Sequence, residues 1–136
     1  MVKFNSFEEI EAWKESRLLI KKIREICKRE DVRRDFGFVD QITRASRSMA
    51  ANIAEGNDAM NMLEFITFLG YAKRSAAEVR SHLYDALDEE YVSQEEFRDL
   101  SAQATKIARM ISNLASYLQT CDLKQKRISS PLKENP

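Results

Sequence analysis

Polar residues recur at helical spacing between Gln41 and Gly56, in a segment that reads QITRASRSMAANIAEG. At about 100° per residue, Gln41, Ser48 and Asn52 line up along one edge of a helix. The face beside this edge consists of Val39, Ile42, Ser46, Met49 and Ile53. Because a half-buried amide or hydroxyl without a hydrogen bond costs about 1 to 3 kcal/mol, we expect this edge to contact another helix, another subunit or a ligand.

Asn52 and Glu55 are the two residues of this segment that could form a small polar site near a helix end. Capping and hydrogen bonds between helices explain the same pair better. The arginines that could serve as their partners are Arg44, Arg47 and Arg74. Gly56 can adopt the left-handed conformation that closes a helix, so NIAEG is predicted to be a last helical turn.

The sequence lacks the residue sets that metal sites and common catalytic sites need. His82 is the only histidine, and the two cysteines, Cys27 and Cys121, are predicted to lie at opposite ends of the fold, so no zinc site can be assembled. The Glu-x-x-His pairs of di-iron bundles and glycine-rich phosphate loops are absent. We therefore predict no metal, no cofactor and no enzymatic activity.

Composition favours one all-α domain. The chain has 136 residues, three glycines and two prolines, and both prolines fall in the last six residues, so few helix breakers interrupt it. The 22 basic and 22 acidic residues cancel, and no whole-molecule field draws the protein toward a polyanion. No apolar run approaches the roughly 18 residues of a membrane span and no signal peptide begins the chain, so we expect a cytoplasmic protein with no membrane partner.

Capping signals and apolar periodicity predict four helices, over about residues 6–30, 38–55, 62–90 and 93–121. Ser6 with Glu9, and Ser93 with Glu96, have the spacing of capping boxes. From Asp122 onward the apolar period stops. Residues 1–121 are thus predicted to form the bundle, and residues 122–136 a disordered polar tail.

Apolar residues of the third and fourth helices are alternately four and three residues apart. The third helix carries Phe65, Leu69, Ala72, Ala76, Val79, Leu83 and Ala86, and the fourth carries Phe97, Leu100, Ala104, Ile107, Ile111, Leu114 and Leu118. This spacing is typical of near-parallel helix packing, and short connections make neighbouring helices antiparallel. The predicted fold is an up-and-down antiparallel four-helix bundle.

The third helix also carries a second apolar row, which we call the α3 stripe: Leu63, Ile66, Gly70, Ala77 and Tyr84. A monomer would leave this row exposed. Scattered exposed apolar residues are common on soluble proteins, which is one explanation. The other is a subunit interface, in which the small Gly70 and Ala77 let a neighbouring helix approach and Tyr84 and Ile66 anchor it. We favour self-association.

Charge is distributed unevenly along the chain. Lys14 to Arg34 holds nine basic against four acidic residues, and Asp85 to Asp99 holds seven acidic residues against one basic. The bundle topology places these two clusters at the same end, where they are expected to neutralise each other. The cations left for nucleic-acid contacts are Arg44, Arg47, Lys124, Lys126 and Arg127. Repeated around a ring of subunits, they would form a continuous basic surface.

Three segments, FNSFEEIEAW, DQITRASRSMAANIAEG and FLGYAKRSAAEVRSHL, resemble the small bacterial four-helix-bundle proteins encoded by intervening sequences of 23S ribosomal RNA genes. The resemblance covers nearly the whole chain and centres on Gln41, Ser48, Asn52, Glu55 and Gly56. It implies a ring-forming homopentamer, and related bundles act as accessory subunits of reverse transcriptases. The chain departs from the family where Arg74 stands in place of a frequent glycine before Ser75.

Two functional hypotheses follow. In the first, the protein is a non-enzymatic oligomeric interaction module that binds RNA, DNA or a nucleic-acid-processing partner, such as a reverse transcriptase, through a surface formed by assembly. In the second, it is a purely structural protein-protein interaction oligomer with no nucleic-acid role. Binding that falls steeply with added salt would distinguish the first from the second.

Overall fold

The structure, a computed structural model, describes residues 4–129 and the side chains of residues 4–127. Four antiparallel helices follow one another: α1 (Glu11–Cys27), α2 (Phe36–Asn57), α3 (Met62–Asp88) and α4 (Gln94–Ser129). Each helix packs against two others, α1 and α3 both lying between α2 and α4. The predicted all-α, up-and-down four-helix bundle is confirmed.

The first helix begins later than the capping signal predicted. The Ser6 hydroxyl accepts a hydrogen bond from the Glu8 backbone N–H at 3.3 Å, which caps a single 3-10 turn over Phe7–Glu9. Ile10 is then extended and 2% exposed. Burial of the Ile10 side chain redirects the chain, so α1 starts at Glu11 and the predicted Ser6–Glu9 capping box is wrong.

Gly56 has a different role from the one predicted. Its backbone is helical rather than left-handed, and α2 continues to Asn57. A Cβ atom at Gly56 would lie 2.9 Å from Cδ1 of Phe65 and 3.0 Å from Cβ of Phe68. The first distance is shorter than real Cβ contacts and the second is tighter than most of them, so Gly56 lets the end of α2 approach the first turns of α3.

The end of α3 is where a left-handed residue does occur. Glu90 has a φ of 60°, the Tyr91 N–H donates to the Ala86 carbonyl at 2.8 Å, and the Glu90 N–H donates to the Leu87 carbonyl at 3.0 Å. This pair of bonds is a Schellman motif with glutamate where glycine is usual. Three residues later Ser93 and Glu96 form the predicted capping box, with bonds of 3.0 and 3.1 Å.

The core follows the predicted seams of α3 and α4. All seven seam residues of α3 are buried, whereas Phe97 and Leu114 of α4 are only half-buried. On α1 the buried hydroxyl of Ser16 donates to the Ala12 carbonyl at 2.7 Å. This bond satisfies the Ser16 hydroxyl within α1, so that hydroxyl needs no partner across the core.

Helix α4 continues past the predicted end of the bundle. Residues 122–129 are helical instead of starting a tail, while residues 130–136 of the predicted tail lie outside the described residues. An ion pair between Lys126 and Asp122 at 3.2 Å joins successive turns, and basic residues near a helix C-terminus are favourable. With 36 residues against 27 in α3, α4 projects beyond the α2–α3 connection.

Candidate functional site

The polar edge of α2 finds its partner within the same chain. The Asn52 side-chain amide donates to the backbone carbonyl and to the hydroxyl of Ser48, both at 2.9 Å. The Ser48 hydroxyl in turn lies 2.8 Å from the hydroxyl of Ser75 on α3. Of the partners expected for this edge, Ser48 contacts another helix, whereas Asn52 bonds within α2.

Gln41 and Glu55 do not join this network. Both are exposed. Among the side chains of residues 4–127, neither has a hydrogen-bond partner. The guanidinium of Arg74 lies 5.9 Å from the centre of the Tyr71 ring instead of pairing with Glu55. Asn52 and Glu55 therefore do not form one polar site: Asn52 bonds to Ser48 within α2, and Glu55 is exposed.

A groove of about 650 Å³ lies between α1 and α2, and we call it the basic groove. Its lining residues are Arg24, Cys27, Lys28, Phe36, Val39, Asp40, Thr43, Arg44 and Arg47. Lys28, the C-cap of α1, lies four residues after Arg24, and Arg44 and Arg47 are three residues apart on α2, so each pair lies on one helix face. The antiparallel packing of α1 on α2 brings the two faces together.

The basic groove carries excess positive charge. Asp40 is its single carboxylate, against four cationic side chains. Arg44 pairs with Asp40 at 3.1 Å, and Lys28 pairs with Glu25 at 3.2 Å, but both pairs are largely exposed and such pairs contribute under about 1 kcal/mol. Within residues 4–127, Arg24 and Arg47 have no carboxylate within ion-pair distance.

The same face of α1 extends this row of cations. Arg17 and Lys21 precede Arg24 and Lys28 by seven residues each, which places them on the same side of the helix. Both are exposed. The positive surface is thus elongated along α1, which suits a polymer better than a single anion.

The basic groove is lined by one buried thiol, that of Cys27. Cys27 is 9% exposed, and burial raises the pKa of its thiol. A protonated thiol is a poor nucleophile and a poor metal ligand. Among the described residues, no three histidine, cysteine or acidic side chains are grouped so that they could hold a metal ion.

The basic residues of the predicted nucleic-acid set do not all lie together. Arg44 and Arg47 line the basic groove, but Lys124, Lys126 and Arg127 lie near the end of α4. That end is the one at which α2 finishes, whereas Arg44 and Arg47 lie near the middle of α2. Sequence reasoning also missed Arg24, Lys28 and Phe36, although the four-residue spacing of the first two was a usable signal.

The two charged clusters neutralise each other less than expected. Arg29 forms an ion pair with Glu96 and also donates to the Tyr91 carbonyl at 3.0 Å. Hydrogen bonds from Arg29 and from the Ser93 backbone hold the pKa of Glu96 at about 2. Within the described residues, no other ion pair joins the two clusters. The remaining pairs of residues 14–34 are three or four residues apart in the chain, or join Glu15 to Lys106. The acidic cluster therefore does not neutralise the basic groove.

The α3 stripe is exposed in the single chain. Leu63 is 55% and Tyr84 60% exposed, and Ile66 is half-buried against the core. The Tyr84 ring also packs on Phe97 of α4 at 4.8 Å between ring centres. A Cβ atom at Gly70 would meet nothing within 4 Å, so the packing of this chain does not require a glycine there.

No helix within residues 4–129 is both long enough and apolar enough to cross a bilayer. A comparison with curated proteins finds no match. Among solved structures, the chain is similar to a protein of unknown function from the S23 ribosomal protein family of Bacteroides thetaiotaomicron, with 24% identity and a TM-score of 0.71 over 77% of this chain and 95% of that one. This likeness shows the fold. Residues 8–113 match the family model described as 23S rRNA-intervening sequence protein, and the chain belongs to that family.

Proposed function

We propose that this protein is a non-enzymatic interaction module that self-associates and holds RNA or DNA along the basic groove. The observation that carries the proposal is the charge of the groove: four cationic side chains face one carboxylate, and Arg24 and Arg47 have no carboxylate partner among the described side chains. Binding to a phosphate backbone draws its free energy from such uncompensated cations, because each one releases counterions.

Self-association would repeat the groove. The α3 stripe supports assembly because Leu63 and Tyr84 expose large apolar surface and Gly70 leaves open space above the helix. An exposed glycine inside a helix costs about 1 kcal/mol relative to alanine, and close approach of another helix explains it. In a ring of five copies, as the family resemblance implies, five basic grooves would act on one polymer.

The alternative is a purely structural oligomer that contacts other proteins only. The α3 stripe supports this alternative as well as it supports the first function, because both need self-association. Only the basic groove favours nucleic acid. The experiment must therefore change the groove and leave the stripe unchanged.

The test measures binding of labelled RNA and DNA by fluorescence anisotropy over a range of salt concentrations. We expect log Kd to rise linearly with log salt, and the double variant Arg24→Ala/Arg47→Ala to reduce the slope by about 1.4 for single strands, since each phosphate contact contributes about 0.7. The matched control, Arg98→Ala/Arg109→Ala, removes two exposed cations from α4 and should leave the slope unchanged.

A wild-type protein that binds neither polymer at physiological salt would contradict the nucleic-acid function and leave the structural oligomer. If the groove variant and the α4 control reduce the salt slope equally, binding is not localised to the groove. Circular dichroism of both variants establishes that they remain folded.

Self-association is tested separately by sedimentation velocity. A Gly70→Glu variant should shift the protein toward the 15.8 kDa monomer, because it places a charge within the α3 stripe. Ala51→Glu adds the same charge at an exposed position of α2 and should sediment like the wild type. A wild-type protein that is monomeric at micromolar concentration contradicts this part of the proposal.

A further inference from the structure

Phe36 is the one phenylalanine that the fold leaves at the surface. Its side chain is 81% exposed, while the other six phenylalanines of the chain are buried or half-buried. None of the ring contacts among the described residues involves Phe36. The fold therefore gains little from its aromatic ring.

The start of α2 does not require an aromatic residue at this position. Asp35 caps the helix by accepting a hydrogen bond from the Phe38 N–H at 3.1 Å. Phe38, two residues later, supplies the buried side chain and packs on Tyr91. Any residue compatible with the first helical turn would serve at position 36 as far as these contacts are concerned.

The surroundings of Phe36 indicate what its ring could contact. It lines the basic groove together with Arg24, Lys28, Arg44 and Arg47. Arg44 and Arg47 lie eight and eleven residues along α2, which is about 12 and 16 Å at 1.5 Å per residue. A flat apolar surface thus stands at one end of a row of cations, which is the combination found in grooves that bind single-stranded nucleic acids.

We propose that Phe36 is a stacking platform for an unpaired base, and that the basic groove takes single-stranded RNA or DNA in preference to duplex. This inference rests on the proposed function of the same groove. The bases of a duplex are already stacked within the helix and cannot lie on Phe36, whereas every base of a single strand has a free face. The cations then bind the phosphates of the strand that continues from this base along the groove.

Other ligands account for fewer of these features. An acidic peptide would use the cations but would gain no base stacking from Phe36. A second copy of the chain would cover Phe36, but the cations of the groove would then repel the identical groove of that copy if the two met face to face. A single strand uses both the ring and the charges.

The experiment compares single strands of about twelve nucleotides with a duplex of the same length, in RNA and DNA versions. We expect Phe36→Ala to weaken single-strand binding by about 5- to 150-fold, the range that corresponds to stacking of one base, with the salt slope unchanged. Phe36→Leu, which keeps apolar bulk without an aromatic face, should lose nearly as much. Phe36→Trp should retain binding, and its fluorescence should be quenched by the stacked base.

Met60→Ala is the matched control, because Met60 is 90% exposed and lies at the α2–α3 connection, at the other end of the bundle. It should bind like the wild type. Comparison of the RNA and DNA versions then shows whether the 2′-hydroxyl contributes to recognition.

Three results would overturn the inference: wild-type affinity in Phe36→Ala, equal affinity for duplex and single strand, or dissociation of the assembly by Phe36→Ala, which would make Phe36 a contact between copies. If Phe36→Ala binds normally while Arg24→Ala/Arg47→Ala shows the reduced salt slope, the stacking platform fails and the proposed function stands. If the wild type binds no nucleic acid, both fail. Competition by polyglutamate as effective as by unlabelled single strand would assign the groove to an acidic peptide.

Discussion

The Tyr91 hydroxyl donates a hydrogen bond to Oδ2 of Asp35 at 2.7 Å and thereby ties the α3–α4 connection to the start of α2. The other carboxylate oxygen of Asp35 caps α2 at Phe38, and the Tyr91 carbonyl accepts from Arg29 just after α1. The α1–α2 connection, which holds Arg29 and Asp35, and the α3–α4 connection therefore meet around one tyrosine. Because Asp35 directly precedes Phe36, this cluster also fixes the end of the basic groove.

Replacing Tyr91 by phenylalanine should lower the thermal midpoint, because Asp35 loses a hydrogen-bond donor. The bond raises the pKa of Tyr91 to about 12 from its usual 10.0 and lowers that of Asp35. A raised folded-state pKa means that the stabilisation is complete below pH 10 and is lost as pH rises from 10 to 12.

Thermal unfolding followed at pH 8, 10 and 11.5 checks this prediction. The difference between wild type and Tyr91→Phe should be largest at pH 8 and shrink at pH 11.5. Tyr71→Phe, at a tyrosine with 45% exposure, serves as control and should be near neutral. A Tyr91→Phe variant as stable as the wild type at pH 8 would show that water replaces the tyrosine hydroxyl without loss.

The ion pair between Glu96 and Arg29 should make stability fall at acid pH. The pKa of Glu96 is lowered from 4.5 to about 2, so its stabilisation is present above pH 4.5 and is lost as pH falls toward 2. Glu96→Gln removes the charge but keeps a capping-box acceptor for Ser93. Because both side chains of the pair are more than a third exposed, we expect a loss of under about 1 kcal/mol at pH 7.

Urea unfolding between pH 2 and pH 7 measures this effect. The free energies of unfolding of the wild type and of Glu96→Gln should become equal as pH approaches 2. Glu95 is a neighbouring exposed residue, and Glu95→Gln should have the free energy of unfolding of the wild type at every pH. If the difference in the free energy of unfolding between the wild type and Glu96→Gln is the same at every pH, the capping box and not the ion pair accounts for the loss of stability.

The same glycine-to-alanine substitution should have opposite effects at two positions. At Gly56 the new methyl group would lie 2.9 Å from Phe65, and crowding of this kind costs about 1 to 3 kcal/mol. At Gly70 it would meet nothing within 4 Å, so the higher helix propensity of alanine should stabilise the chain by about 1 kcal/mol.

Urea midpoints of Gly56→Ala and Gly70→Ala at low protein concentration, where assembly is minimal, provide the measurement. A stabilised Gly56→Ala would mean that α2 and α3 can separate at little cost. If Gly70 lies between subunits as proposed, Gly70→Ala should also weaken assembly at higher concentration.

Replacing Glu90, whose backbone is left-handed, by glycine should stabilise the protein. The φ of 60° at Glu90 costs a residue with a side chain about 1 kcal/mol that glycine does not pay. Glu90→Gly should therefore raise the free energy of unfolding by about 1 kcal/mol. Glu89→Gly changes a residue with a φ of −82° and should give no gain. Chemical denaturation of both variants measures the two free energies of unfolding. If both substitutions change the free energy of unfolding equally, backbone strain at Glu90 is not the cause of the change.

The sequence by itself determined the elements and their type. The seam from Phe65 to Ala86 and the capping box of Ser93 with Glu96 depend on residues three and four apart, so periodicity alone predicts them. The family resemblance, carried by Asn52 to Gly56, is likewise readable from the order of residues. These features are local, and neighbouring helices do not alter them.

The tertiary structure decided which residues meet. Only the antiparallel packing of α1 on α2 brings Arg24 and Arg47 to one groove. Only the approach of α3 to α2 makes Ser75 the partner of Ser48. The same approach is why Gly56 is needed at the contact between α2 and α3. Sequence periodicity gives the face on which a residue lies but not the helix that covers it. That choice depends on the distance and register between helices, which long-range packing sets.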